Sequence, residues 1–122
     1  MYNPYSLEGK TILITGASSG IGRSAAIESS KLGARIVLVG RNSEKLNETL
    51  LQMSRDNHVV ISADITIADD VKRIASECPE LNGLVNNAGI NLMKPVTFFN
   101  EKDLNKIFCT NSFAPMLLTK WL

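Results

Sequence analysis

Short β-branched runs alternate with amphipathic stretches along most of this chain. Thr11–Thr15 (TILIT) is apolar on both sides and runs into a glycine-rich stretch, which predicts a buried strand. Ile21 to Leu32 has helical composition, and Gly33 stands where a helix C-terminus favours glycine. Arg35 to Val39 (RIVLV) predicts a second buried strand, ended by Gly40. Leu46, Leu50 and Met53 recur at helical spacing. His58 to Ala63 (HVVISA) reads as a third strand, with His58 a partly exposed strand residue rather than an acid–base group. Thr66 and Asp69 form a capping pattern before a helix that places Val71, Ile74, Ala75 and Cys78 on one face and ends at Pro79. Leu84 to Asn86 is a fourth strand after the Asn82-Gly83 turn. Residues 91–99 read as a loop, in which Met93, Pro95 and Phe98 are expected to pack in the ordinary way. Asn100 with Asp103 opens a final helix, whose buried face is marked by Leu104, Ile107 and Phe108. Pro115 lies inside that helix and should bend or divide it.

The order is βαβαβαβα. Strands apolar on both faces and joined by helices predict an α/β fold, a parallel sheet covered on both sides. Right-handed crossovers then leave few topologies.

Composition narrows the function classes. The 122 residues are 44% hydrophobic and 20% charged, which suits one soluble globular domain. Thirteen basic and 12 acidic residues give a net charge of +1, so there is no electrostatic case for nucleic acid or for an anionic membrane. The longest aliphatic run, Ile36 to Val39, cannot span a bilayer. The opening MYNPYSLEGK lacks the pattern of a secretory signal, and a cytoplasmic location is expected. Cys78 and Cys109 lack metal-ligand spacing and read as reduced, buried thiols.

The chemistry concentrates in Thr15-Gly16-Ala17-Ser18-Ser19-Gly20-Ile21-Gly22, between the first strand and the first helix. That context suits a dinucleotide-binding turn. Gly16 permits the tight turn, Gly20 lets backbone approach a pyrophosphate, and Gly22 lets the helix sit close to the sheet. Ser18 and Ser19 add hydroxyl donors. The helix start supplies free N–H groups and the positive end of the helix dipole. No Gly-Lys-Ser/Thr follows, which excludes a Walker A loop.

The pattern Thr-Gly-x-x-x-Gly-Ile-Gly resembles the cofactor fingerprint of the short-chain dehydrogenase/reductase family. Three further segments are similar to the family's motifs, in the same order. Asp64-Ile65 stands where the family contacts adenine. Asn86-Asn87-Ala88-Gly89 looks like the family's Asn-Asn-Ala-Gly segment. Asn111 falls at the position of its catalytic asparagine. The resemblance runs from about Leu7 onward. It implies a Rossmann-type sheet with strand order 3-2-1-4, a cofactor site including Asn87, Ala88 and Gly89, and hydride transfer between a nicotinamide and a carbonyl or alcohol carbon.

Residues after the second strand bear on which nicotinamide cofactor. A carboxylate there would bind the ribose 2′-OH of NAD, and an arginine the 2′-phosphate of NADP. The chain reads Gly40-Arg41-Asn42, with no carboxylate before Glu44. Arg41 therefore favours NADP(H) over NAD(H). Many NADP-preferring relatives carry a basic residue at the position of Ser19. Arg23 is nearby, on the helix, and its reach is open at this point.

The resemblance also implies a serine and a Tyr-x-x-x-Lys pair, in which the ammonium makes the phenolate accessible as the acid–base group. Tyr2 and Tyr5 are followed four residues later by Ser6 and Gly9, and both precede the first strand. Of the catalytic set only Asn111 is matched. Residues 1–122 are accordingly expected to be the dinucleotide-binding half of a longer reductase, inactive alone. Its substrates by resemblance would be 3-oxoacyl thioesters, sugars, polyols or steroid-like alcohols. The competing reading is a non-catalytic nucleotide-binding or interaction module ending at Leu122. The apolar residues Phe113, Met116, Leu117, Leu118, Trp121 and Leu122, with the fourth strand as a sheet edge, suggest a homo-oligomer.

Overall fold

The computed structural model describes residues 2–122. Four parallel strands, β1 (Thr11–Thr15), β2 (Arg35–Gly40), β3 (Val59–Ser62) and β4 (Gly83–Val85), form one sheet in the order β3-β2-β1-β4. The register aligns Ile14 with Leu38 and with Val85, and Val39 with Ile61. Between the strands lie α1 (Gly20–Lys31), α2 (Ser43–Leu51) and α3 (Ala68–Glu77). A 3₁₀ turn (Val96–Phe98), α4 (Glu101–Phe108), a π turn (Cys109–Phe113) and α5 (Ala114–Trp121) follow β4.

Strand alternation sends successive side chains to opposite faces, and each face has its own core. Ile14, Ile36 and Leu38 pack with Ala26 of α1 and Leu46 of α2. Leu13, Val37, Val39 and Ile61 pack with Val71 and Ile74 of α3 and with Ala114 and Leu118 of α5. Because both faces are covered, Ile36 to Val39 are wholly buried without any alternation of polarity. Each such aliphatic side chain contributes roughly 1.5–3 kcal/mol by leaving water.

Several local expectations change. The Thr66 hydroxyl does not cap α3; it donates to Asp64 Oδ1, and Ile67 occupies the cap position without a side-chain bond. Asp64 competes successfully because it is two residues from Thr66 and takes the Thr66 N–H as well. His58 stands just before β3. Its Nδ1 accepts from the Ile36 N–H at 3.0 Å, and its Nε2 lies 2.7 Å from the Ser54 carbonyl, so the ring extends the edge of β2 where strand pairing has not yet begun. β4 sits one residue earlier than the apolar run suggests, starting at Gly83. The final helix is divided as Pro115 predicts. The break is the π turn, whose wider register precedes Pro115 in the first turn of α5. Leu104 and Phe108 are not a buried face: both are about half exposed, and α4 buries no residue. Met93 and Phe98 are likewise exposed rather than packed. Both cysteines are free and half-buried, not fully buried, and burial pushes the Cys78 thiol upward against a smaller opposing effect of Arg35. No helix among the described residues is long and apolar enough to cross a membrane.

Candidate functional site

In a parallel sheet all strands end at one edge, and the chain here leaves β1 toward β2 on one side while β4 lies on the other. A crevice opens at such a point of divergence. It is a cleft of about 550 Å³. It is lined by Thr15 and Gly16 at the end of β1, Val39 to Arg41 at the end of β2, Ala63 to Thr66 after β3, and Ala88 to Ile90 after β4. Asn105, Lys106, Cys109 and Thr110 close it from α4 and the π turn. A shallower hollow adjoins it, sharing Ser18, Ser19 and Arg41 and adding Asn42 to Lys45.

The turn after β1 is held by contacts that explain two of its glycines. Gly16 has φ +65°, a conformation glycine adopts without strain. A Cβ on Gly22 would stand 2.1 Å from the Gly16 carbonyl oxygen and 2.6 Å from Asn87 Nδ2. Gly22 thus lets α1 press on the turn itself and on the β4 loop, a closer constraint than helix-to-sheet packing. Thr15, wholly buried, fixes the same junction. Its hydroxyl accepts from the N–H groups of Asn87 and Ala88, both at 3.0 Å, and donates to the Val85 carbonyl.

The expected cofactor residues divide into those that line the cleft and those that build it. Gly16, Ser18, Ser19, Arg41, Asp64, Ile65, Ala88 and Gly89 line it. Asn87 does not; its side chain donates to the Gly16 carbonyl at 3.4 Å. Gly20 and Ile21 open α1 outside the lining, with Ile21 exposed and open space where a Gly20 Cβ would stand. Asn42 borders the hollow and caps α2, accepting from the Lys45 N–H at 3.1 Å.

Charge is distributed unevenly around the cleft. Partial burial pushes the Asp64 carboxyl upward, but the Thr66 hydroxyl, the Thr66 N–H and the Arg41 charge outweigh it and hold the group below its usual range. Asp64 is therefore a carboxylate at neutral pH, with Oδ1 engaged by Thr66. The Arg41 guanidinium pairs with no carboxylate among the described residues. Arg23 does not reach toward the cleft as a free cation. It donates from Nε to Thr49 Oγ1 at 2.9 Å and from Nη2 to the Ser18 and Lys45 carbonyls at 2.6 and 3.2 Å, with Glu48 at 3.3 Å.

Asn111 sits in the π turn. Its Oδ1 accepts from the Ile90 N–H and its Nδ2 donates to the Ile90 carbonyl, both at 2.8 Å. Both ends of the amide are thus committed to pinning the loop after β4. Tyr2 and Tyr5 are exposed in the segment ahead of β1.

Sequence reading missed the wall formed by Asn105, Lys106, Cys109 and Thr110. The signal was present: 105 and 109, and 106 and 110, are each four apart and share a helix face. It also missed Thr49, whose buried hydroxyl donates to the Ala17 carbonyl at 2.8 Å.

Residues 10–122 match the family model for short chain dehydrogenases. The chain is 35% identical over 114 residues to a tropinone reductase homolog of Arabidopsis thaliana, covering 88% of this chain and 43% of the relative. It is 35% identical over 116 residues to glucose 1-dehydrogenase of Gluconobacter oxydans, covering 89% and 44%. The solved structure of a citronellol catabolism dehydrogenase of Pseudomonas aeruginosa superposes with a TM-score of 0.86 at 34% identity, covering 99% of this chain and 52% of that one. The chain therefore spans under half the length of these curated relatives. With the glycine turn, the parallel sheet and the cleft at its carboxyl edge, this match makes the chain a member of the short-chain dehydrogenase family.

Proposed function

We propose that residues 1–122 form the dinucleotide-binding half of an oxidoreductase, taking NADP(H) in preference to NAD(H). The observation that carries the preference is Arg41. It borders both the cleft and the adjoining hollow, forms no salt bridge among the described residues, and no acid stands between it and Glu44. Its planar donors suit a 2′-phosphate. The glycine turn fits a dinucleotide, since a Gly20 Cβ would project into open space beside a helix start. In this reading the N–H groups of the turn hold the phosphates, and Asp64 and Ile65 border the adenine, where a carboxylate oxygen accepts from an exocyclic amine. Ala88 and Gly89 line the path beyond. When bound, the nicotinamide supplies or receives the hydride exchanged with a carbonyl or alcohol carbon. Asn111 acts as a positioning residue, holding the loop at Ile90.

Titration with NADPH and NADH tests the preference. NADPH binds at least about tenfold tighter, and Arg41→Ala removes most of that difference, as expected for a lost charge-assisted pair. Equal affinities in the wild-type chain would sink the preference.

We further read the 122-residue chain as inactive alone, because neither exposed tyrosine has a lysine four residues on. NADPH oxidation above that of an Arg41→Ala/Gly20→Ala double variant would overturn this. The relatives' names point to chemically different substrates, a tropinone type and a sugar, and the residues here favour neither.

A further inference from the structure

We infer that Arg23 and Thr49 are positioning residues for the phosphate turn, an inference that rests on the dinucleotide reading of the cleft. Two consecutive carbonyls of the turn are gripped from behind by the α1–α2 pair. Thr49, fully buried in α2, donates to the Ala17 carbonyl at 2.8 Å. Arg23 of α1 donates to the Ser18 carbonyl at 2.6 Å and to Thr49 Oγ1 at 2.9 Å, so the two anchors are themselves joined. Its further bond to the Lys45 carbonyl and its ion pair with Glu48 fix the guanidinium on α2.

The consequence follows from peptide geometry. In a trans peptide the C=O and the next N–H point in opposite directions. Holding the Ala17 oxygen toward α2 turns the Ser18 N–H away from α2, and holding the Ser18 oxygen does the same for the Ser19 N–H. Among the described residues no protein acceptor meets either N–H. Ser18 and Ser19 line both the cleft and the hollow. The anchors thus keep two donors available to a phosphate. They also keep two carbonyl oxygens, which would repel it, turned away. Rotation of either peptide would reverse both effects. This also explains how a cation in the first turn of α1 serves the turn without reaching the phosphate: its donors are spent on the Ser18 and Lys45 carbonyls, the Thr49 hydroxyl and Glu48.

The test is an NMR titration of the ¹⁵N-labelled chain with NADP⁺. Arg23→Met weakens binding about tenfold. At saturation the amide shift changes of Ser18 and Ser19 shrink, while those of Asp64 and Ile65 match wild type. Arg23→Lys, which keeps the charge and a single donor nitrogen, recovers part of the loss. Thr49→Val gives the same selective pattern at smaller size, and decides the matter should Arg23→Met fail to fold. Unchanged affinity in the variants, or shift changes lost evenly across the cleft, would overturn the inference. A wild-type chain that binds neither NADP⁺ nor NAD⁺ would instead overturn the dinucleotide reading beneath it.

Discussion

Leu38 and Phe108 are both apolar, and both sit where the sequence pattern marks a core position. Leu38 of β2 is fully buried between α1 and α2, whereas Phe108 of α4 is 51% exposed. The difference lies in neighbours. β2 has a strand on each side and helices on each face, so any apolar residue in it finds partners. α4 is followed at once by the π turn and lies over the cleft rather than on the sheet. Only Ala114 and Leu118 of α5 are buried beyond that turn, against the core that Val71 and Ile74 share. An amphipathic stripe states that a face is apolar; it does not state what covers it.

The largest effect should come from this pair. Leu38→Ala is expected to cost about 2–5 kcal/mol, by lost transfer energy and a cavity. Phe108→Ala should fall within about 1 kcal/mol, as for surface positions. Urea denaturation of both variants measures the contrast, and comparable losses would remove it.

Gly22→Ala comes next, because the new methyl group meets backbone that cannot swing aside. A loss of about 1–3 kcal/mol is expected from overpacking. Dinucleotide binding should fall further than stability does, since the displaced atoms are those of the turn itself. Thermal melting with a parallel NADPH titration separates the two. A variant that binds like wild type would show that the turn tolerates displacement.

How far the sequence could be read follows the same division. The strands and the glycine turn were readable because burial on both faces leaves continuous apolar runs and because the glycines recur at close spacing between a strand and a helix, while the strand order was available only as what the family resemblance implies. The capping pair Asn100 and Asp103 was readable because both partners lie within one turn, and the structure shows the reciprocal capping box. Thr66 was misread because Asp64, equally local, competes for it. The contacts of Arg23 with Thr49, of Thr49 with Ala17 and of Thr15 with Asn87 could not be found, since these pairs lie 26, 32 and 72 residues apart with no periodic trace. The apolar end of α5 shows the limit from the other side. Phe113, Met116, Leu117, Trp121 and Leu122 are all 42% exposed or more, while Leu118 alone among these apolar positions is buried.

A smaller effect is expected at Asn111. Removing its amide by Asn111→Ala deletes two exposed bonds to Ile90 and should cost about 1 kcal/mol. Amide exchange at Ile90 should rise while that of β1 stays unchanged. An equal rise in β1 would mean that the π turn supports the sheet as well as the loop.

The smallest effect concerns how α4 is held, since it buries no side chain. Its first turn is polar: Asn100 Oδ1 accepts from the Asp103 N–H at 2.9 Å, and Asp103 pairs with Lys94 of the preceding loop. The Lys94 hydrogen bond lowers the Asp103 carboxyl. Slight burial opposes it, and the Asn100 N–H with the charges of Lys94 and Lys106 adds to the lowering. A carboxyl lowered in the folded state stabilises above its unfolded value, ordinarily 3.8, and loses that contribution as pH falls through the lower folded value. Acid should therefore loosen α4 at its N-terminus below about pH 4. Asp103→Asn should leave that end equally loose at pH 7 and remove its acid dependence. Amide exchange at residues 101–105, followed from pH 6 to 3, reads this directly. The pair lies near the surface and is screened by water, so the effect is expected to be local and to weaken in high salt. An α4 that keeps its protection in acid would have to be held by contacts other than its polar first turn.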